Sequence, residues 1–245
     1  MELNKKSTLP ILEEGLQDFG IVLEEKQKEQ FLKFYQLLTE WNTFMNLTAI
    51  TEFDEVCIKH FLDSAALCKV IALSAAKEQT LIDVGTGAGF PAIPLKIIFP
   101  NLKVTMLDAL NKRVKFLNEV IAVLELHNIE AIHGRAEDYA KPDLLRERFD
   151  ICVSRAVAHL STLSEYCLPY VKRKGFFVSY KSEKASEELQ AAKQAIELLG
   201  GKVFKQQELI LPHSDIYRNF IVIQKQKATP KRYPRKAGLP SKEPL

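Results

Sequence analysis

The sequence predicts an α/β protein with a seven-stranded, mostly parallel sheet wrapped by helices, preceded by a helical extension and followed by a basic tail. Three observations carry this. Short β-branched runs alternate with helix-length amphipathic runs from Thr80 onward, and three glycines cluster directly after the first of those runs. The last two β-type runs lie too close together for a helix to cross between them.

The extension comes first. Residues 8–20 and 24–45 have helical spacing, the second with Phe31, Phe34, Tyr35, Leu38, Trp41 and Met45 on one stripe. That stripe places Trp41 and Met45 in the core rather than on a base-stacking surface. A third apolar-periodic stretch, 53–73, carries Val56, Phe61, Ala65, Cys68 and Ile71, and predicts a further helix. These elements make residues 1–75 the extension.

Residues 76–227 form the predicted core. Strands at 80–84, 103–107, 129–133, 149–154 and 176–180 alternate with helices at 91–98, 111–126, 159–172 and 184–199, with only a loop and a short helix after the third strand. Runs 202–211 and 219–225 then pair antiparallel. Five parallel strands and an antiparallel pair are the Rossmann-like layout of the class I S-adenosylmethionine-dependent methyltransferase fold.

Composition excludes several classes. A chain of 245 residues with 47% hydrophobic and 27% charged residues is neither disordered nor fibrous, and is long enough for a large core. The N-terminal residues lack the apolar run of a secretion signal, and no apolar stretch is of membrane-spanning length, which predicts a cytoplasmic protein. Asn46-Leu47-Thr48 is then no glycosylation site. Cys57, Cys68, Cys152 and Cys167 are spaced too irregularly for a zinc or redox motif and read as buried free thiols.

Charge is concentrated at the C-terminal end. Residues 225–245 hold seven cations against Glu243, a net of +6 in a chain of net +3. Tyr233 and Pro230, Pro234, Pro240 and Pro244 favour an extended segment. Residues 228–245 therefore read either as a solvated end or as an arm that contacts nucleic-acid phosphates, Arg235 and Lys236 among its candidates.

The glycine cluster is the first candidate site. LIDVGTGAGFP, 81–91, sets Gly85, Gly87 and Gly89 between a strand and a helix, where a ligand can lie against the main chain. The spacing is Gly-x-Gly-x-Gly, with Phe90 where a dinucleotide fingerprint has its third glycine. Asp83 would repel a pyrophosphate but suits a cationic amino acid moiety, which favours S-adenosylmethionine over NAD. Asp108, at the end of the second strand, suits ribose hydroxyls of either cofactor. After the third strand, Glu137 or Asp138 and the Ala136 backbone could meet an adenine edge. Arg155 ends the fourth strand.

The residues after that strand also matter for what they are not. There is no Asn/Asp-Pro-Pro-aromatic motif for amino-group methylation and no Pro-Cys nucleophile for pyrimidine carbon. A nucleophile such as guanine N7, whose lone pair is free, needs no general base, so no catalytic acid or base is nominated. Lys112, Arg113 and Lys115 open the helix after Asp108, either as a solvated face or as phosphate contacts at the pocket rim. His60 and Asp63 share a helical face and read equally as pocket residues or as surface hydrogen-bonding groups.

WNTFMNLTAIT (41–51), KHFLDS (59–64), DVGTGAGFP (83–91), LDALNKRVKFL (107–117), HGRAED (133–138), VSRAV (153–157) and YPRKAGLPSKEPL (233–245) together resemble the bacterial 16S rRNA guanine-N7 methyltransferase family, RsmG or GidB. The resemblance spans nearly the whole chain. It implies methyl transfer from S-adenosyl-L-methionine, leaving S-adenosyl-L-homocysteine, to one guanine of 16S rRNA near the decoding site, on naked RNA or on the small ribosomal subunit, by a monomer. Its cofactor contacts fall here on Gly85, Phe90, Ala136, Glu137 and Arg155, with Asp108 as the ribose acid, and the loop itself adds Gly87; Arg155 is left to the cofactor carboxylate or an RNA phosphate. Ala92 and Ala66 stand where the family often has Gly and Leu. The competing reading is a methyltransferase of the same fold acting on another RNA, a protein or a small molecule.

Overall fold

Period-two alternation puts apolar side chains on both faces of the sheet: Ile151 and Val153 join one core while Cys152 joins the other, as Phe220 and Val222 do against Ile221 and Ile223. The computed structural model describes residues 9–73, 78–155, 158–182 and 185–245. The extension comprises α1 (Pro10–Asp18), α2 (Glu25–Met45), α3 (Phe53–Val56) and α4 (Asp63–Ala65). Next come β1 (Gln79–Val84), α5 (Ala92–Ile98), β2 (Leu102–Asp108), α6 (Asn111–Val123), β3 (Ile129–His133) and α7 (Ala136–Tyr139). Then follow β4 (Phe149–Ser154), α8 (Leu160–Cys167), β5 (Val171–Lys181), α9 (Ala185–Leu198), β6 (Gly201–Ile210), β7 (Tyr217–Lys225) and α10 (Leu239–Lys242).

The strands form one sheet in the order β3-β2-β1-β4-β5-β7-β6. β1 to β5 are parallel, and β7 runs antiparallel to both β5 and β6. Chain order reverses between β1 and β4, which makes the carboxyl ends of those two strands the switch point where ligands gather.

Phe31, Phe34, Leu38 and Met45 form the buried face of α2, and their neighbours belong to the same apolar core as Leu81 and Val104 of the sheet. Two polar side chains of α2 tighten this packing. Gln27 Nε2 donates to the Ile97 carbonyl at 2.7 Å, and Gln30 Nε2 to that of Leu124 at 2.8 Å, satisfying acceptors that the ends of α5 and α6 leave open.

Several expectations are corrected. The stretch 53–73 is not one α-helix: α3 passes into a π-helical turn, Cys57–Leu62, then α4 and a 3-10 turn, Ala66–Lys69. Carbonyls in this irregular region find side-chain donors, with Ser64 Oγ on His60 O at 2.6 Å and Tyr180 Oη on Ser64 O at 3.1 Å. The 159–172 helix stops at Cys167, because Pro169 in the following 3-10 turn cannot continue the α-helical ladder, and β5 starts at Val171 rather than 176. Cys57, Cys152 and Cys167 are buried, but Cys68, on the 3-10 turn, is half-buried. The predicted helix starts at residues 8 and 184, the 75/76 boundary and the last two residues of VSRAV lie outside the described residues. Among the described residues no helix is long and apolar enough to cross a membrane.

The C-terminal tail packs on the body, while Lys231, Arg232, Lys236 and Lys242 stay exposed. Arg146 donates to the carbonyls of Thr229 at 2.6 Å and Tyr233 at 2.7 Å, and buried Lys225 bonds Thr229 Oγ1 at 2.7 Å. Tyr233 and Pro240 are buried, and Thr162 Oγ1 donates to the Pro240 carbonyl at 3.2 Å. The extended backbone is thus satisfied by side chains of the body.

Candidate active site at the switch point

The loop after β1 needs its glycines. Gly87 has φ +63°, and a Cβ there would meet nothing within 4 Å: the loop is open on that side, where a ligand can lie against the main chain. Gly89, at φ +89°, has the opposite environment, since its Cβ would stand 2.3 Å from Ile93 Cδ1 and 3.1 Å from Leu117 Cδ2. One glycine faces the ligand side; the other lets the loop pack on α5 and α6.

Asp83 and Asp108 flank this loop. Asp83 is fully buried, with Oδ2 accepting from Thr86 Oγ1 at 2.7 Å and the Ala92 N–H at 3.3 Å. Among the described residues its Oδ1 has no partner, and burial pushes the carboxyl up to about 7. A cationic ligand group is what such an acid lacks, so it fits the α-ammonium of S-adenosylmethionine. Asp108, also buried, accepts from Gly87 N–H and Leu110 N–H, each at 2.9 Å. It links the loop to the start of α6.

The third wall differs from expectation. Glu137 is buried, and its Oε1 accepts the Gly238 N–H of the tail at 2.8 Å, while Asp138 is exposed. Tyr170 Oη donates to the Ala136 carbonyl at 2.5 Å. Residues 136–137 therefore stand beside Asp108, whose carbonyl accepts from Gly134 N–H at 3.0 Å, and Glu137 shapes that wall through the tail.

Phe90 and Arg155, both expected at the cofactor, pack against each other at the edge of the cavity. The Phe90 ring is buried against Phe34, with centroids 5.2 Å apart, and stacks on His60 at 4.5 Å, so only its main chain faces the loop. Arg155 lies over the same ring, 5.2 Å from its centroid. Its Nη1 donates to Asp63 Oδ2 at 2.8 Å and to the Lys59 carbonyl at 3.2 Å. Arg218 Nε donates to the other oxygen, Asp63 Oδ1, at 2.7 Å. Asp63 thereby offsets part of the positive charge that Arg155 and Arg218 bring to the site.

His60 completes the cluster. Its Nε2 is 2.8 Å from Thr48 Oγ1, and its Nδ1 is 3.1 Å from the Lys59 carbonyl and 3.3 Å from Arg155 Nη2, so that both ring nitrogens have partners. Burial, with Arg155 adding to it, brings His60 down to about 4. Asn42 Oδ1 accepts the Thr48 N–H at 2.9 Å, so the Asn-Leu-Thr segment serves to position this histidine. A cavity of about 760 Å³ opens beside the cluster, lined by Ile50, His60, Asp63, Arg155, Tyr180 and Arg218 among others. His60 and Asp63, left open by sequence, belong to it. Arg218 was missed: only the antiparallel run of β7 brings its amino end to the carboxyl edge of the parallel strands.

The cationic candidates divide. Lys112, Lys115 and Lys236 are exposed, whereas Arg113 approaches Asp108 Oδ2 at 3.4 Å. Arg235, the other tail candidate, clasps buried Glu165 through its Nε and Nη2, the shortest contact being 2.7 Å. A carboxylate with 1% of its side chain exposed requires this partner.

Fold and site together define a class I S-adenosylmethionine-dependent methyltransferase. A profile of the family described as rRNA small subunit methyltransferase G, GidB, matches residues 27–216. The chain is 55% identical over 232 residues to the ribosomal RNA small subunit methyltransferase G of Lachnoclostridium phytofermentans, covering 95% of each protein. With that of Staphylococcus saprophyticus it shares 53% over 234 residues, 96% of this chain and 97% of the relative. The chain belongs to the rRNA small subunit methyltransferase G family. Among solved structures, a methyltransferase from Pyrococcus furiosus matches with a TM-score of 0.55 at 14% identity, covering 83% of this chain and all of that one. Pyrococcus horikoshii TYW2 in complex with MeSAdo matches with a TM-score of 0.52 at 14% identity, covering 68% and 61%. Both matches bear on the fold.

Proposed function

We propose that the protein methylates N7 of one guanine in 16S rRNA, acting as a cytoplasmic monomer on the RNA or the small subunit. One observation carries the placement of the acceptor: Arg155 lies over Phe90 of the glycine loop and at the same time lines the cavity, so that the cavity adjoins the cofactor loop. Its volume of about 760 Å³ suits a nucleotide, within the range usual for small-ligand sites.

Bound S-adenosylmethionine supplies a methyl group on a sulfonium. Guanine N7 attacks with its own lone pair, so that an N–C bond forms as the S–C bond breaks, and no proton has to leave. His60 is suited to positioning, being neutral and hydrogen-bonded at both ring nitrogens. The methylated base carries a positive charge, and Asp63 and Glu188 in the cavity lining offset part of the charge of its cations, Asp63 through Arg155 and Arg218 and Glu188 through Lys181. Lys59, Lys181, Arg155 and Arg218 supply cations for the phosphates around the base. Since N7 in an A-form duplex faces a deep, narrow groove, the acceptor is an unpaired or splayed guanine.

Incubation with methyl-labelled S-adenosylmethionine and a mixture of ribosomal RNAs and proteins tests the substrate class. Label in small-subunit RNA, released by nuclease, is expected; label confined to protein or small molecules contradicts the reading.

A further inference from the structure

The tail reaches the cofactor side of the sheet. Its Gly238 N–H donates to Glu137 Oε1, and Glu137 belongs to the α7 turn that follows β3 beside Asp108. Arg235 donates to Glu165 through its main-chain N–H at 2.8 Å, through Nε at 3.0 Å and through Nη2 at 2.7 Å, which fixes where the following residues run. The Glu243 carbonyl accepts from the same guanidinium at 2.7 Å, closing residues 235–243 into a strap over α7 and α8. Gly238, at φ +83°, turns the strap so that its N–H points at Glu137.

We propose that residues 235–245 are a positioning strap for the adenosine half of the cofactor, and that Arg235 is its anchor. Glu137 has no hydrogen bond from a side chain of its own wall among the described residues; its partner is the tail backbone. Seating the strap therefore holds the α7 turn in the conformation that the nucleoside meets. Linkage makes the effect mutual: cofactor binding must secure the strap by the factor with which the strap secures the cofactor. The inference rests on the cofactor site described above, not on the identity of the methyl acceptor.

Its test is a chain ending at Lys236, which keeps the Arg235 clasp on Glu165 but removes Gly238. Calorimetry with S-adenosylhomocysteine and with methylthioadenosine should show Kd raised about tenfold for both, since the loss lies in the half they share. The ligand-free unfolding temperature should fall, since buried Pro240 and the partner of buried Glu137 are lost, and affinity is therefore compared at a temperature where both chains are fully folded. A second variant, Arg235→Gln with Glu165→Gln, removes the anchor without leaving a buried charge and should weaken both ligands likewise. Conversely, S-adenosylhomocysteine should protect the full chain from trypsin at Lys236 and Lys242. Wild-type protein that bound neither ligand would instead refute the cofactor site itself. Wild-type affinity in both variants would overturn the strap, and so would weakened RNA binding with cofactor affinity intact, which would make the tail an RNA arm.

Discussion

Asp63 and Arg155 join the helical extension to the end of β4 by a 2.8 Å ion pair, and the same carboxylate takes Arg218 at 2.7 Å from the antiparallel strand β7. One buried acid from the extension thus sets the spacing of two guanidinium groups in the cavity. Asp63→Asn should lower kcat by at least tenfold and destabilise the fold by about 3 kcal/mol, as expected when one partner of a buried ion pair is removed. Steady-state kinetics with a denaturant titration would check both.

The pH dependence of cofactor binding should follow Asp83. The ligand-free carboxyl holds its proton up to about pH 7, while a cationic amino group favours the ionised form. Affinity for S-adenosylhomocysteine should therefore fall as pH drops below about 7, approaching tenfold per unit, and Asp83→Asn should flatten this profile. The same group makes ligand-free stability decline as pH rises from its unfolded value of 3.8 to about 7, because the folded chain binds the extra proton in that window.

His60 acts in the opposite sense. Its folded value of about 4 lies below the unfolded 6.5, so its contribution is complete above pH 6.5 and is lost as pH falls toward 4. The stability of wild type relative to His60→Gln should grow with pH across that window by up to about 1.4 kcal/mol per unit. At saturating cofactor and RNA, methyl transfer should stay nearly flat from pH 6 to 8.5, since no group acts as a base; a bell-shaped rate profile would count against this.

Two glycines in one loop should respond differently. Gly87→Ala places its Cβ in open space and should cost about 1–2 kcal/mol for the left-handed backbone, yet weaken S-adenosylhomocysteine binding by far more than that strain explains. Gly89→Ala forces its Cβ onto Ile93 and should damage the fold first. Thermal unfolding and calorimetry on the two variants separate the effects.

RNA affinity should depend on the exposed cations and not on Arg235. Lys112→Ala and Lys236→Ala should each reduce the slope of log K against log salt by about 0.7, the value for one contact to a single strand. Arg235→Ala should chiefly lower the unfolding temperature by leaving Glu165 buried without its partner.

Much of this was legible in the residues. Hydrophobic period gave the strands and α2, and Gly85, Asp83 and Asp108 marked the loop and its acids, because strand ends and glycine spacing are local properties. The π turn at Cys57–Leu62 was not, since an apolar stripe does not distinguish one extra residue per turn from an α-helix. Nor was the fate of Arg235 and Arg218, whose partners Glu165 and Asp63 lie 70 and 155 positions away. Charge is visible in sequence; which charge it meets is a matter of tertiary packing.

The most direct test of the central claim is to incubate the protein with S-adenosylmethionine and either small subunits or naked 16S rRNA lacking the modification, and then map N7-methylguanine by chemical strand cleavage. A single cleavage site, formed more slowly by the Asp63→Asn variant, is predicted. RNA without any cleavage site, from protein shown to bind the cofactor, would contradict the account.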